Sequence, residues 1–255
     1  YTPRTLFPYT TLFRSLAQAV SSMYLIIYVY KKYDILRFKF RRDTFDLPII
    51  KEGLKLGLPI VIQSSTMSLG GLLLQNVMNS FGTQTVVAVT TAYRIDNMGI
   101  LPMINVASAI SIFVAQNKGA GNLERAELGL KKGIMIILPI SIITTIAVAF
   151  GGLTFIHMFG VSNNVALMGQ QLLLCCALFY PVFGIQNAYI GFLQGTGDVG
   201  VPAVSNIVSM ILRIVLSYAL ASLVGFRIIA YSEMASWVLG AIICYIRFKS
   251  RRWVV

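Results

Sequence analysis

The sequence predicts an all-α fold: a polytopic transmembrane helix bundle of six complete helices plus one truncated helix. Three observations carry that expectation. The chain of 255 residues is 56% hydrophobic and only 12% charged, with a mean hydropathy of +0.76, so lipid is the solvent for most of it. Six runs, at 58–79, 86–115, 133–156, 166–193, 201–224 and 228–247, reach the length of about 20 mostly apolar residues that a hydrocarbon core requires. The basic residues are sorted between alternate connections. With the first complete helix running outward, the inner segments hold sixteen Lys and Arg, among them Lys31, Arg41, Lys118, Lys132, Arg247 and Arg252, and the outer segments hold Arg227 alone. That bias sets the C-terminus inside.

The net charge of +12 therefore reads as attraction to anionic lipid and not as a nucleic-acid surface. The lipid bilayer is the expected partner, and no nucleic acid is.

The elements follow in chain order. "TLFPYTTLFRS", residues 5–15, has neither the basic start nor the unbroken apolar stretch of a secretory signal. Pro8 and the Thr10-Thr11 pair are expected to interrupt a helix before two turns can form. Letter for letter the segment resembles one reading frame of a common sequencing adaptor, which makes residues 1–15 an expected artefact with native sequence beginning near Leu16. Residues 16–30 read as a truncated transmembrane helix. The basic stretch 31–57, with aliphatic and aromatic residues interleaved, reads as a cytoplasmic connector along the membrane surface. The six-helix lobe spans 58–247, followed by a cytoplasmic tail at 248–255.

Outer connections at 80–85, 157–165 and 225–227 are too short to build a domain. Inside, "QNKGAGNLERA" (116–126) and "QGTGDVGVP" (194–202) place Gly and short polar residues where a helix must end. Neither follows a strand or ends in Gly-Lys-Ser/Thr, so a nucleotide loop is not expected. Cys175, Cys176 and Cys244 fall inside apolar runs and read as buried free thiols. His157 sits at an outer helix end and reads as interfacial.

The segment "YRIDNMGILPMINVASAISIFVAQNKGAGNLERAELGLKKG" (93–133) closely resembles a helix-and-loop segment of multidrug and toxic compound extrusion (MATE) transporters. "GIQNAYIGFLQGTGDVGVPAVSNIVSMILRIVLSYAL" (184–220) is similar to the family's later helix pair, and "LGLPIVIQSS" (56–65) to its Gly-Leu-Pro start. The resemblance runs from about residue 16 to 250. It implies helices six to twelve of a twelve-helix protein, hence the second lobe, with a missing N-terminal six-helix lobe as partner. It further implies export of cationic or amphipathic small molecules in exchange for inward H⁺ or Na⁺, no other cofactor, and a bacterial inner (cytoplasmic) membrane location. The alternatives are a lipid-linked oligosaccharide flippase of a related bundle, or a fragment inactive by itself. An intramembrane enzyme would need a nucleophile with its base, or paired acids, at membrane depth, and no such constellation is legible.

Ionisable groups inside the membrane are functional candidates by default. Arg94 and Asp96 stand two residues apart, roughly 200° around a helix of about 3.6 residues per turn, so they do not simply neutralise each other. Asp96 and Arg213 lie roughly 15 and 18 Å from opposite faces of a core of about 30 Å, which puts both near the midplane. They are expected to interact or to face the cavity. Arg94 is expected to snorkel outward and Glu233, five residues into the last run, to anchor at the interface. The neutral polar set is Gln63, Ser64, Asn76, Tyr93, Asn105, Gln186 and Asn187. Met67, Met98, Met103, Met168 and Met210 suit either a pliable pocket or ordinary packing. The resemblance also implies, for some branches, embedded carboxylates in the seventh and tenth helices; 58–81 and 166–193 contain neither Asp nor Glu, so within this chain Asp96 is the central candidate for a coupling ion.

Overall fold

The computed structural model describes residues 6–33 and 46–253. All described elements are helical: α1 (Leu6–Lys32), α2 (Leu47–Ser80), α3 (Thr83–Gly119), α4 (Leu123–His157), α5 (Asn163–Leu178), α6 (Tyr180–Gly195), α7 (Gly200–Val224), a 3₁₀ turn (Gly225–Arg227) and α8 (Ile228–Lys249). The chain divides into two units, Tyr1–Glu52 and Gly53–Val255.

In the first unit α1 corrects one expectation. The helix begins at Leu6 and runs through Thr10 and Thr11. Pro8 falls in its first turn, where the amide it lacks would have found no intrahelical acceptor. Further along, Tyr24 and Tyr28 stack at 6.4 Å between ring centroids, and Lys32 Nζ donates to Tyr28 Oη at 2.7 Å. Of the basic connector expected at 31–57, residues 34–45 lie outside the described residues. Its last part is already helix, because α2 starts at Leu47 with Lys51, Glu52 and Lys55 on exposed positions of the same cylinder.

The second unit is the bundle. Among the described residues four helical stretches are long and apolar enough to cross a membrane, and the α5 and α6 pair makes a fifth if taken as one bent span. The stretch from Gly200 to Lys249 is itself two passages. Gly225, at φ 69°, turns the chain, and Ser217 Oγ then meets Ser232 Oγ at 2.9 Å while Ser205 Oγ donates to the Gly240 carbonyl at 3.2 Å. Those pairings fix α7 and α8 as an antiparallel hairpin. With the α7 and α8 hairpin taken as two and the α5 and α6 pair as one, the described helices offer six candidate spans by length and composition, and the chain is a multi-pass membrane protein.

One passage is broken. α5 and α6 meet at 52°, with Phe179 between them and Pro181 in the first turn of α6. Pro181 has no N–H to offer the carbonyl of Ala177, four residues back. That carbonyl instead accepts from Thr145 Oγ1 of α4 at 2.6 Å. The hydroxyl of a neighbouring helix replaces the lost ladder bond, as apolar surroundings demand.

α6 runs through the middle of the unit, packed by α3, α4 and α8. Lipid supplies no hydrophobic drive for helices to associate, so close backbone approach has to hold them. A Cβ on Gly191 would collide with the carbonyl oxygen of Ala107, and one on Gly195 with that of Ser111. These glycines, one helical turn apart, lay α6 directly on the backbone of α3. Phe192, Tyr180, Met103, Ile137 and Leu173 fill the core around this contact.

Both glycine-rich turns end their helices in the same way. Asn122 N donates to Asn117 O at 2.8 Å and Gly121 N to Lys118 O at 2.9 Å; Asp198 N donates to Leu193 O at 2.9 Å and Gly197 N to Gln194 O at 3.0 Å. Each is a Schellman closure with a left-handed glycine, Gly121 at φ 74° and Gly197 at φ 85°. Asn122 then caps α4 through the amide of Arg125.

α2 is the least enclosed passage of the unit, buried only at Gly70, Leu74, Val77 and Met78. Gly70 admits the side chain of Met210, and Leu73 O accepts from Tyr218 Oη at 3.0 Å. On its uncovered length Ser64, Thr66 and Ser68 return their hydroxyls to their own helix, on Ile60 O, Ile62 O and Ser64 O.

Candidate functional site

Between α2, α3, α6, α7 and α8 lies a cavity of about 400 Å³. Its polar lining comes in stripes. Asn206, Ser209 and Arg213 follow one face of α7, Gln186, Asn187 and Gln194 one face of α6, and Glu233, Ser236 and Trp237 one face of α8, with Gln63 facing them from α2. Three- and four-residue spacing is what places them together. The apolar part includes Met67, Met210, Ile100, Ile104 and Phe183, and the Phe183 and Trp237 rings stand 5.0 Å apart at 57°.

An ionic core sits at one side. Arg213 Nη2 pairs with Glu233 Oε2 at 3.1 Å and donates to Tyr93 Oη at 2.6 Å. Asp96, 6% exposed, accepts from Tyr180 Oη at 2.8 Å. Asp96 and Glu233 also border one small void of about 10 Å³, beside Tyr93 and Cys176, about the space of a single water molecule. Two carboxylates and one guanidinium therefore share a site spread over α3, α7 and α8, with the phenols of Tyr93 and Tyr180 as their hydrogen-bonding company. Burying such a set is costly unless each charge is paired or hydrogen-bonded.

Three residues of the cavity lining each carry a buried polar atom that these contacts leave over. Gln186 Oε1, Ser209 Oγ and Arg213 Nε are buried and have no partner within the protein. A buried acceptor and two donors left in this condition are destabilising until something hydrogen-bonds them. All three belong to residues that line the cavity.

The structure gathers some of the sequence candidates and separates others. Tyr93, Asp96 and Arg213 meet in the ionic core, but the direct partner of Arg213 is Glu233, and that of Asp96 is Tyr180. Gln63, Gln186, Asn187 and Arg213 line the cavity. Arg94 is exposed and lies over the Phe159 ring at 5.8 Å. Asn105, Asn76 and Ser64 are exposed and away from the cavity. Glu233, expected as an interfacial anchor, is instead 8% exposed and ion-paired, because the hairpin lays it against α7. Of the methionines, Met67 and Met210 line the cavity while Met103 is core. Tyr180, Ser209, Asn206 and Trp237 were not among the candidates; the periodic polar stripe on α7 was the available signal for two of them. Among the described residues no cluster of three or more His, Cys, Asp or Glu is disposed to hold a metal ion.

The sequence pattern of the MatE family matches residues 59–219. Probable multidrug resistance protein YpnP of Bacillus subtilis is 24% identical over 242 residues, covering 93% of this chain and 53% of that protein. Multidrug export protein MepA of Staphylococcus saprophyticus is 22% identical over 230 residues, covering 89% of this chain and 50% of its own length. Among solved structures, an outward-facing multidrug resistance MATE family transporter of the MOP superfamily superposes with a TM-score of 0.82 at 20% identity, over 92% of this chain and 54% of that one. A MOP superfamily transporter from Pyrococcus furiosus, described as having a binding pocket of reversed polarity, gives 0.80 at 20% identity over 92% and 54%. The chain spans about half the length of these relatives. A family pattern covering more than half of the 255 residues, over a helix bundle that superposes on solved MATE transporters, places this multi-pass membrane chain in the MatE family.

Proposed function

We propose that the chain is the second lobe, with its preceding helix, of an ion-coupled multidrug exporter in a bacterial cytoplasmic membrane, and that the cavity is this lobe's share of the substrate site. The observation that carries the reading is the gathering of Gln186, Ser209 and Arg213, each with a buried polar atom unpartnered within the protein, on the lining of a cavity of about 400 Å³. Ligand sites are typically concave and mostly apolar with a few directed polar groups, and Met67 and Met210 give its wall a deformable surface. Cationic or amphipathic compounds are the substrates, and H⁺ or Na⁺ entering at Asp96 is the coupling ion. A carboxylate suits that role because it changes charge when it binds a proton and loses its field when it binds Na⁺. Tyr180 holds the carboxylate in place from α6, so a change of charge on Asp96 is felt by a helix that also lines the cavity. The missing first lobe supplies the opposite wall, and the C-terminus lies in the cytoplasm.

A guanidinium on the cavity wall is the observation that favours the lipid-linked oligosaccharide reading. Glu233 offsets it at 3.1 Å, which leaves the wall without net positive charge and favours drug export. The test joins the chain to its first lobe, reconstitutes the whole in vesicles and follows dye efflux under an imposed proton or sodium gradient. Asp96→Asn is expected to abolish gradient-driven efflux while leaving expression unchanged. Unaltered efflux would remove Asp96 from coupling.

A further inference from the structure

The two glycine turns carry polar residues that neither the cavity nor the ionic core uses, and residues at and beyond the end of α8 engage them. Lys118, in the last turn of α3, donates through Nζ to Thr196 O at 2.8 Å and to Trp253 O at 3.2 Å. Arg247 Nε pairs with Asp198 Oδ2 at 2.6 Å. After Lys249 the chain reverses through Arg251, which lies in the left-handed region at φ 55° and reaches Glu127 Oε1 of α4 at 3.3 Å. The reversal carries Trp253 back into the lobe, where it is 2% exposed. Its indole stands edge-on to Phe192 at 4.8 Å and 88°, and parallel to Phe248 at 6.0 Å and 4°. The indole N–H donates to Phe248 O at 2.8 Å. A tail lying free on a membrane would keep such a ring among the headgroups.

What this segment ties together bears on the cavity. α7 packs chiefly on α8, and α8 packs on α6 as well; the α7 and α8 hairpin forms one wall of the cavity while α3 and α6 form the opposing wall. At the glycine-turn end the walls are joined by Lys118 to Trp253, Arg247 to Asp198, and the indole against Phe192. The ion pairs are weak fasteners: Arg247 and Asp198 are partly exposed and the Arg251 side chain is 73% exposed, and pairs of that kind contribute little in the presence of water and salt. The hold rests on the part-buried Lys118 bonds and on the seated indole, beside a direct contact of α8 with α6 in which Phe248 meets Phe192 at 5.1 Å and Tyr189 at 5.3 Å.

We propose that Arg247–Trp253 is a releasable strap, with Trp253 as its plug, that fastens the end of α8 to α3, α4 and α6, and that its release loosens the cavity wall at the glycine-turn end. The inference rests on the contacts of the tail and stands whichever substrate the cavity takes.

The purified 255-residue chain in lipid nanodiscs tests it. The chain has two tryptophans, so Trp237→Phe leaves Trp253 as the sole indole emitter, and its emission is expected blue and poorly quenched by acrylamide. Lys118→Ala and Asp198→Arg in that background are expected to raise quenching several-fold with helix content unchanged. Pairing Asp198→Arg with Arg247→Asp is expected to restore protection, which separates loss of the strap from loss of the fold. For the cavity, Ser209→Cys is placed in a protein whose Cys175, Cys176 and Cys244 are alanine. Ending that chain at Lys249 is expected to speed maleimide labelling at position 209 several-fold. A Trp253 equally accessible before and after the substitutions would overturn the strap; a labelling rate unchanged by truncation would overturn its hold on the cavity.

Discussion

Arg213 commits Nη2 to Glu233 and Tyr93, and the consequence for stability is asymmetric. Removing the carboxylate leaves a guanidinium buried without its counter-charge. Glu233→Gln is expected to lower stability by about 3–5 kcal/mol, while replacing both residues with methionine is expected to recover most of that loss; thermal unfolding in detergent, followed by size exclusion, reads the two side by side. Equal losses in the single and double variants would show that the pair is not acting as a unit. Tyr180→Phe removes the phenol that donates to Asp96 and is expected to cost about 1–3 kcal/mol in the same assay. Asp96 and Arg213 were legible as charged groups at membrane depth, but their partners were not. Arg213 stands twelve residues before Gly225 and Glu233 six beyond Arg227, a difference of about 9 Å of helix rise. Depth along the sequence therefore separated two groups that their long side chains bring into contact.

Helix existence was written plainly in the apolar runs, and helix shape was not. Pro59, Pro102 and Pro139 are carried inside continuous helices, so a proline in an apolar run does not by itself announce a break. At Pro181 the break leaves the Ala177 carbonyl to Thr145, a hydroxyl on another element. Thr145→Val is expected to destabilise by about 1–3 kcal/mol through that unsatisfied acceptor, and the loss should shrink in a Pro181→Ala background where the helix can recover its own bond. A loss of the same size in both backgrounds would detach Thr145 from the bend. Against α3, Gly191→Val is expected to force the backbones apart at the Ala107 carbonyl and to cost about 1–3 kcal/mol, read by the same unfolding measurement. The α1 start was missed for a related reason: Pro8 counts as a breaker within a helix and is harmless in its first turn.

At the scale of the whole molecule, the connection bearing Arg227 and the end bearing Lys249 belong to opposite ends of the α8 passage. In intact cells a membrane-impermeant maleimide is expected to label Arg227→Cys and to spare Lys249→Cys; labelling of both, or the reverse pattern, would undo the proposed orientation. The charge sorting that suggested this orientation was visible in sequence because lipid acts on each connection separately. The cavity was not visible, since it exists only where stripes from five helices converge. α2 contributes the least enclosed of those faces, and its Ser64, Thr66 and Ser68 hydroxyls are already satisfied on their own helix. On that length the three hydroxyls ask nothing of a neighbouring helix. Those hydroxyls therefore tie α2 to nothing else, and its attachment falls to the far half of the helix, where Met210 seats at Gly70 and Tyr218 bonds Leu73 O.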